Sequence, residues 1–169
     1  ALSGAAYQGV FRNPLADPYL LGVAAGAGLG ATVAIVAGGG DGYIVPLIPL
    51  AAFVGAVVGV VLSYGLGRTV GGTRTSTTLI LAGVAIASFL TAIQTYVQQR
   101  NAETLREVYD WILGRLVTTG WADIKLILPY VLLSGIGIFV HRRALDVMSV
   151  GDEEASSLGL QVGRTRLIV

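Results

Sequence analysis

The chain of 169 residues contains no cysteine, a single histidine and a single methionine. Without thiols there is no disulfide framework, no thiolate metal site and no cysteine nucleophile. The lone His141 leaves no histidine cluster for a metal. Charge is scarce too. Asp, Glu, Lys and Arg make up 12% of the residues, against about 25% in an ordinary soluble domain. Apolar residues reach 54%, and the mean hydropathy is +0.74. So little charge cannot cover a compact water-soluble body of this size. A net charge of +1 offers phosphates no basic face, which argues against nucleic acid as a partner. An integral membrane protein remains.

The charge-free windows set the organisation. Residues 18–40, 42–67 and 75–99 carry no Asp, Glu, Lys, Arg or His. Each exceeds the roughly 20 residues that cross a hydrocarbon core at about 1.5 Å per helical residue. The window 126–140 is shorter, but Trp121 and Tyr130 can anchor its outer end while Lys125 snorkels to the headgroups. Lipid cannot hydrogen-bond exposed backbone, so these runs are predicted as helices. The expected fold is an all-α, polytopic transmembrane helix bundle forming one membrane domain over 1–169. Its whole spans fall at about 19–37, 43–66, 77–98 and 121–141. Partial spans are expected at 1–11 and 163–169, because the chain opens on Ala1 inside an apolar run and closes on Leu167-Ile168-Val169. That pattern predicts an internal segment of a longer protein, incomplete at both ends. A soluble all-α core is the competing reading, but buried soluble helices seldom run past about 20 residues without charge, and three such runs stand against it.

Glycine recurs every fourth residue at Gly22, Gly26 and Gly30, and again at Gly55 and Gly59. Small residues let membrane helices approach closely, so these positions are expected at helix crossings. Gly26, Gly28 and Ala31 also fit a loose dinucleotide fingerprint. That motif needs a preceding strand and a helix start facing water, and a charge-free span supplies neither.

Orientation follows from the basic residues. Arg12, Arg68, Arg74, Arg142, Arg143, Arg164 and Arg166 fall on one side. Arg100, Arg106, Arg115 and Lys125 on the other are offset by Glu103, Glu107, Asp110 and Asp123. The first side is therefore expected to be cytoplasmic. On the outer side, residues 102–113 form a short amphipathic helix, with Leu105, Val108, Tyr109, Ile112 and Leu113 on one face. It either lies in the interface or docks an external partner.

Three connections stand out, the first needing no function beyond that of a tight re-entry turn. Pro14 and Pro18 make 11–18 a rigid turn without a helical interior. The hydroxyl run Thr73-Arg74-Thr75-Ser76-Thr77-Thr78 exceeds what one helix cap needs. The surplus marks either a headgroup boundary or the mouth of a pathway. After the fourth span, Ser149 and Asp152 stand at capping-box spacing, acids follow in the first turn, and Gly159 is placed to stop a helix. A short cytoplasmic helix over 151–159 is predicted. Either it is a solvated surface helix or it docks a partner: Asp152, Glu153 and Glu154 offer charge to a basic partner, and Ala155 and Leu158 an apolar contact.

No ionisable residue falls near the middle of a predicted span. Ion-coupled transporters usually hold such groups at the midplane, so a self-powered secondary transporter is disfavoured. No catalytic pair is present, and no metal or cofactor is expected on this subunit. A non-transporting structural or assembly subunit stays open beside a transporter driven by another subunit.

The ordered motifs Ala1-Leu2-Ser3-Gly4-Ala5, Asn13-Pro14-Leu15-Ala16-Asp17-Pro18, Leu21-Gly22-Val23, Leu81-Ala82-Gly83-Val84-Ala85, Trp111-Ile112-Leu113-Gly114 and Gly151-Asp152-Glu153-Glu154-Ala155 with Leu158-Gly159 strongly resemble one family. It is that of the FecCD-type permeases of ABC importers for iron-siderophores, haem and cobalamin. The resemblance implies a fragment of a roughly ten-helix subunit in a bacterial or archaeal cytoplasmic membrane. It implies a homodimer that works with an ABC ATPase and a periplasmic or lipid-anchored substrate-binding protein, with no enzymatic activity of its own. It further implies ATPase coupling through Gly151, Asp152, Glu153, Glu154, Ala155, Leu158 and Gly159. Asn13, Leu15, Ser76 and Thr77 then form the cytoplasmic gate, and the helix from Leu79 lines the pathway at the dimer axis. The run Gly38-Gly39-Gly40-Asp41-Gly42 departs from the family in its glycine content.

Overall fold

The computed structural model describes residues 2–14, 16–38, 47–70, 76–114 and 120–168, without the side chains of 70, 76 and 166–168. Within them every regular element is helical: α1 Leu2–Phe11, α2 Val23–Ala37, α3 Ile48–Val70, α4 Ser76–Arg100, α5 Leu105–Leu113, α6 Trp121–Val140, α7 Arg142–Val150, α8 Asp152–Ser157 and α9 Val162–Ile168. The helices belong to two compact units. One is formed by Tyr19–Leu116, the other by Ala1–Pro18 with Val117–Val169.

In the Tyr19–Leu116 unit, α2 packs on both α3 and α4. A β-carbon on Gly26 would fall against the carbonyl of Gly55, so the two backbones touch with no side chain between them. This is where the four-residue glycine spacing leads: close approach replaces the hydrophobic drive that lipid does not supply. Gly22 has a second task. Its backbone is left-handed, φ 74°, a conformation open to glycine at little cost. It ends a single 3₁₀ turn, Pro18–Leu21, and starts α2. The continuous span predicted over 19–37 is therefore divided, and its α-helical part has 15 residues. At about 1.5 Å per residue that is short of a 30 Å hydrocarbon core. The kink leaves the Leu21 carbonyl outside the helical ladder. The fully buried Ser63 hydroxyl stands 3.0 Å from that carbonyl and 2.8 Å from the Gly59 carbonyl on its own helix. One hydroxyl on α3 thus serves the break at the start of α2.

Helices α3, α4 and α6 are each long and apolar enough to cross a membrane. Pro49 is accommodated in the first turn of α3, where its missing N–H has no ladder partner to lose. The predicted span over 43–66 begins at residues outside the described set, and α3 itself continues to Val70. Along α4, Ser88 and Thr95 donate back to the carbonyls of Val84 and Thr91, both at 2.9 Å, which satisfies their hydroxyls within the helix. On α5 only Val108 is buried, while Tyr109, Ile112 and Leu113 stay exposed.

In the other unit, α6 buries none of its residues. Its N-terminus is closed by Asp123, whose carboxylate accepts the Gly120 amide at 2.9 Å. Pro129 lies inside the helix. At the far end His141 Nδ1 lies 2.8 Å from the Gly137 carbonyl, and the Arg142 guanidinium sits 4.4 Å from the centre of the Phe139 ring. Helix α7, not foreseen from the sequence, packs on α1 and on α8, with Met148 completely buried.

Candidate functional site

The predicted coupling segment 151–159 contains α8, six residues long, between Gly151 and a tight C-terminal turn. The C-terminus closes as expected of Gly159. With Gly159 left-handed at φ 84°, its amide reaches the Ser156 carbonyl at 2.9 Å and the Leu160 amide reaches the Ala155 carbonyl at 3.0 Å. These are the paired bonds of a Schellman cap. The N-terminus differs from the prediction. Helix α7 runs on through Val150, so Ser149 has helical backbone and its hydroxyl turns back to the Asp146 carbonyl at 2.7 Å. Gly151 takes the N-cap position instead, with extended backbone. A β-carbon there would strike the Glu154 carboxylate, which folds back over it.

The faces of α8 divide by chemistry. Glu153 and Glu154 are exposed, and Leu158 keeps 73% of its surface in solvent. Asp152 is partly exposed at the first turn. Ala155, expected to share an outward apolar contact with Leu158, has none of its surface exposed. Leu158 follows three residues on, its amide still 3.1 Å from the Glu154 carbonyl, yet Ala155 is covered within its own unit while Leu158 projects. The outward surface is acidic around one large apolar side chain.

Next to α8 is the turn that follows α1. Helix α1 ends in the same kind of cap as α8: the Arg12 amide lies 3.4 Å from the Gly9 carbonyl and the Asn13 amide 3.2 Å from the Gln8 carbonyl. The left-handed position is held here by Arg12, φ 49°. A non-glycine residue in that region costs about 1–2 kcal/mol. The Arg12 guanidinium reaches over α8 to the Asp152 carboxylate, 3.8 Å away. An ion pair exposed to this extent is worth at most about 1 kcal/mol. The Ala16 amide closes on the Asn13 carbonyl at 2.9 Å, and the Gln8 side-chain amide donates to the Pro14 carbonyl at 2.8 Å. Gln8 therefore ties the turn to α1, and Arg12 ties it to α8. Sequence reasoning missed both, since neither belongs to a motif. An arginine directly after an apolar helix was the available signal for Arg12, read only as a topology marker.

The predicted gate residues are divided between the two units. Asn13, half-buried, lies in the turn beside α8; Leu15 lies outside the described residues. Ser76 and Thr77 begin α4 in the other unit, Thr77 exposed and the Ser76 side chain outside the described set. Thr73 to Thr75 and the glycine-rich stretch from Gly39 onward are outside it as well. Beyond Thr77, one face of α4 carries Ser88, Thr91 and Thr95 along an open groove of about 580 Å³ that Tyr19 and Leu20 also line. Among the described residues no three His, Asp or Glu side chains gather as metal ligands.

Long apolar helices joined by close glycine crossings, with a short, separately capped acidic helix beside a pinned turn, define a multi-pass membrane protein. The chain belongs to the FecCD transport family, whose model matches residues 1–169. It is 34% identical over its whole length to the cobalamin import system permease protein BtuC of Halobacterium salinarum, covering 45% of that protein. It is 38% identical, over 99% of its length, to the ferric enterobactin transport system permease protein FepD of Escherichia coli, covering 49% of it. Among solved structures it resembles an ABC transporter of the metal-chelate type in an inward-facing conformation, with a TM-score of 0.79 and 26% identity, across 99% of this chain and 53% of that one. The chain spans about half the length of the curated relatives it matches.

Proposed function

We propose that this chain forms part of the transmembrane permease of a binding-protein-dependent ABC importer. It would carry a large metal chelate, of the iron-siderophore, haem or cobalamin class, inward across the cytoplasmic membrane of a bacterium or archaeon. The observation that carries the proposal is the family match along the whole chain, to relatives whose names describe import permeases for cobalamin and ferric chelates. In this reading the energy comes from a separate ABC ATPase docked on α8. A substrate-binding protein delivers cargo from outside, and a second permease copy completes the pathway along α4. Asn13, Leu15, Ser76 and Thr77 gate its cytoplasmic end. This subunit binds no cofactor and catalyses no bond change. The lack of ionisable residues near the centres of the spans is consistent with an external energy source.

The test is reconstitution of the full-length protein in liposomes with its ATPase and binding protein, offering cyanocobalamin, haemin and ferric enterobactin separately. ATP-dependent accumulation of one of them, absent when the binding protein is omitted, supports the reading. Assembly of the complex without uptake of any chelate would favour a structural subunit, and uptake driven by an ion gradient without ATP a secondary transporter.

A further inference from the structure

The left-handed Arg12 closes α1 and carries its side chain to Asp152 on α8. A Schellman cap closes most readily on glycine, as α8 closes on Gly159. At the same position of α1 the chain keeps an arginine, and the side chain that makes the conformation unfavourable is the one that reaches α8. Strained residues persist where their surroundings over-determine them, and they cluster at sites that switch. We infer that Arg12 is a positioning residue that ties the turn after α1 to the first turn of α8 through Asp152, so that a displacement of α8 moves Asn13 and Pro14 with it. The inference rests on the reading of α8 as the surface that receives the ATPase. It adds the path from that surface to the turn.

Three observations converge on it. Gln8 fixes the α1 side of the turn by bonding Pro14, and Arg12 connects the same turn to α8. Asp152 is the first residue of α8, next to the extended Gly151, so the contact lies at the point where that helix would pivot. The pair is partly exposed on both sides, 43% and 37%. A partner docking on α8 can therefore strengthen the contact or compete for it without unfolding anything.

The test uses the full-length permease in complex with its ATPase, with nitroxide labels at the exposed Asp17 and Ser156. Arg12→Gly removes the side chain while favouring the left-handed backbone, so the fold and its thermal midpoint should be kept. In the parent protein the label separation should stay narrow with and without ATP. In Arg12→Gly it should broaden or split on adding ATP, and chelate uptake per ATP hydrolysed should fall about fivefold, the low end of coupling between linked sites. Arg12→Lys should restore the narrow distribution. Asp152→Asn, which alters neither backbone, serves if Arg12→Gly does not accumulate. Unchanged separation and unchanged uptake per ATP in both Arg12→Gly and Asp152→Asn overturn the inference. If Leu158→Arg also leaves the ATPase bound, the docking role of α8 fails. If Leu158→Arg releases the ATPase while the Arg12 and Asp152 variants behave as the parent, only the tether fails.

Discussion

A β-carbon on Gly30 would meet the carbonyl of Ala51 head-on, because α2 and α3 cross there with backbone against backbone. Gly30→Val should therefore force the helices apart. Overpacking of this kind costs about 1–3 kcal/mol, and the loss should appear as a lower thermal midpoint in detergent. Gly137→Ala on α6, which meets no neighbouring atom within 4 Å, should leave the midpoint unchanged or slightly raised.

Topology can be read directly. A reporter fused after Asn101 should be external, and one fused after Gly159 internal. Seven basic residues fall on the side of the α1 and α6 C-termini and four on the Asn101 side. The reverse pattern would remove α8 from the side on which an ATPase works.

The two apolar residues of α8 should behave oppositely. Leu158→Arg leaves the fold intact, since the side chain already faces solvent, and should weaken ATPase association at least about tenfold if Leu158 is the centre of the contact. Ala155→Arg would thrust a charge into a fully buried position and should lower accumulation of the permease itself. Glu154→Ala, on the exposed rim, should change association by less than about threefold. Pull-down together with the amount of inserted protein separates the three.

If Thr77 belongs to the proposed gate, a cysteine in its place should crosslink between two permease copies in one nucleotide state more than in the other. The native residues here contain no thiol to confuse the result. Labelling that ignores ATP would reduce Thr77 to part of a helix start.

The long elements were legible because their cause is written locally: a run without charge, longer than the bilayer, has to be helical. The glycine spacing also pointed to its crossing. What escaped was set by backbone geometry and by contacts distant in sequence. Gly22 is one member of a regular glycine series, and nothing in that regularity marks it as the residue that turns left-handed and shortens α2. Arg142 and Arg143 read only as markers of orientation, which concealed a helix whose buried side is Met148. Ser149 and Asp152 had the right spacing for a cap, but the spacing does not reveal that α7 continues past Ser149. The direction of Ala155 depends on where α8 rests, and Arg12 meets Asp152 across most of the chain. Spacing reaches four or five residues; both of those facts need the fold.

Pro129 gives α6 a property that its apolar sequence does not advertise. With no amide proton at that position, the carbonyl of Lys125 one turn earlier cannot receive the usual helical bond. Lipid tails could not supply that bond, but Lys125 lies at the outer end of the span, toward the headgroups. A water molecule or a hydroxyl from another helix must approach α6 on that side, or the shaft must bend to open the way. The helix that buries nothing in its own unit thus carries one backbone acceptor whose bond must come from outside its own ladder.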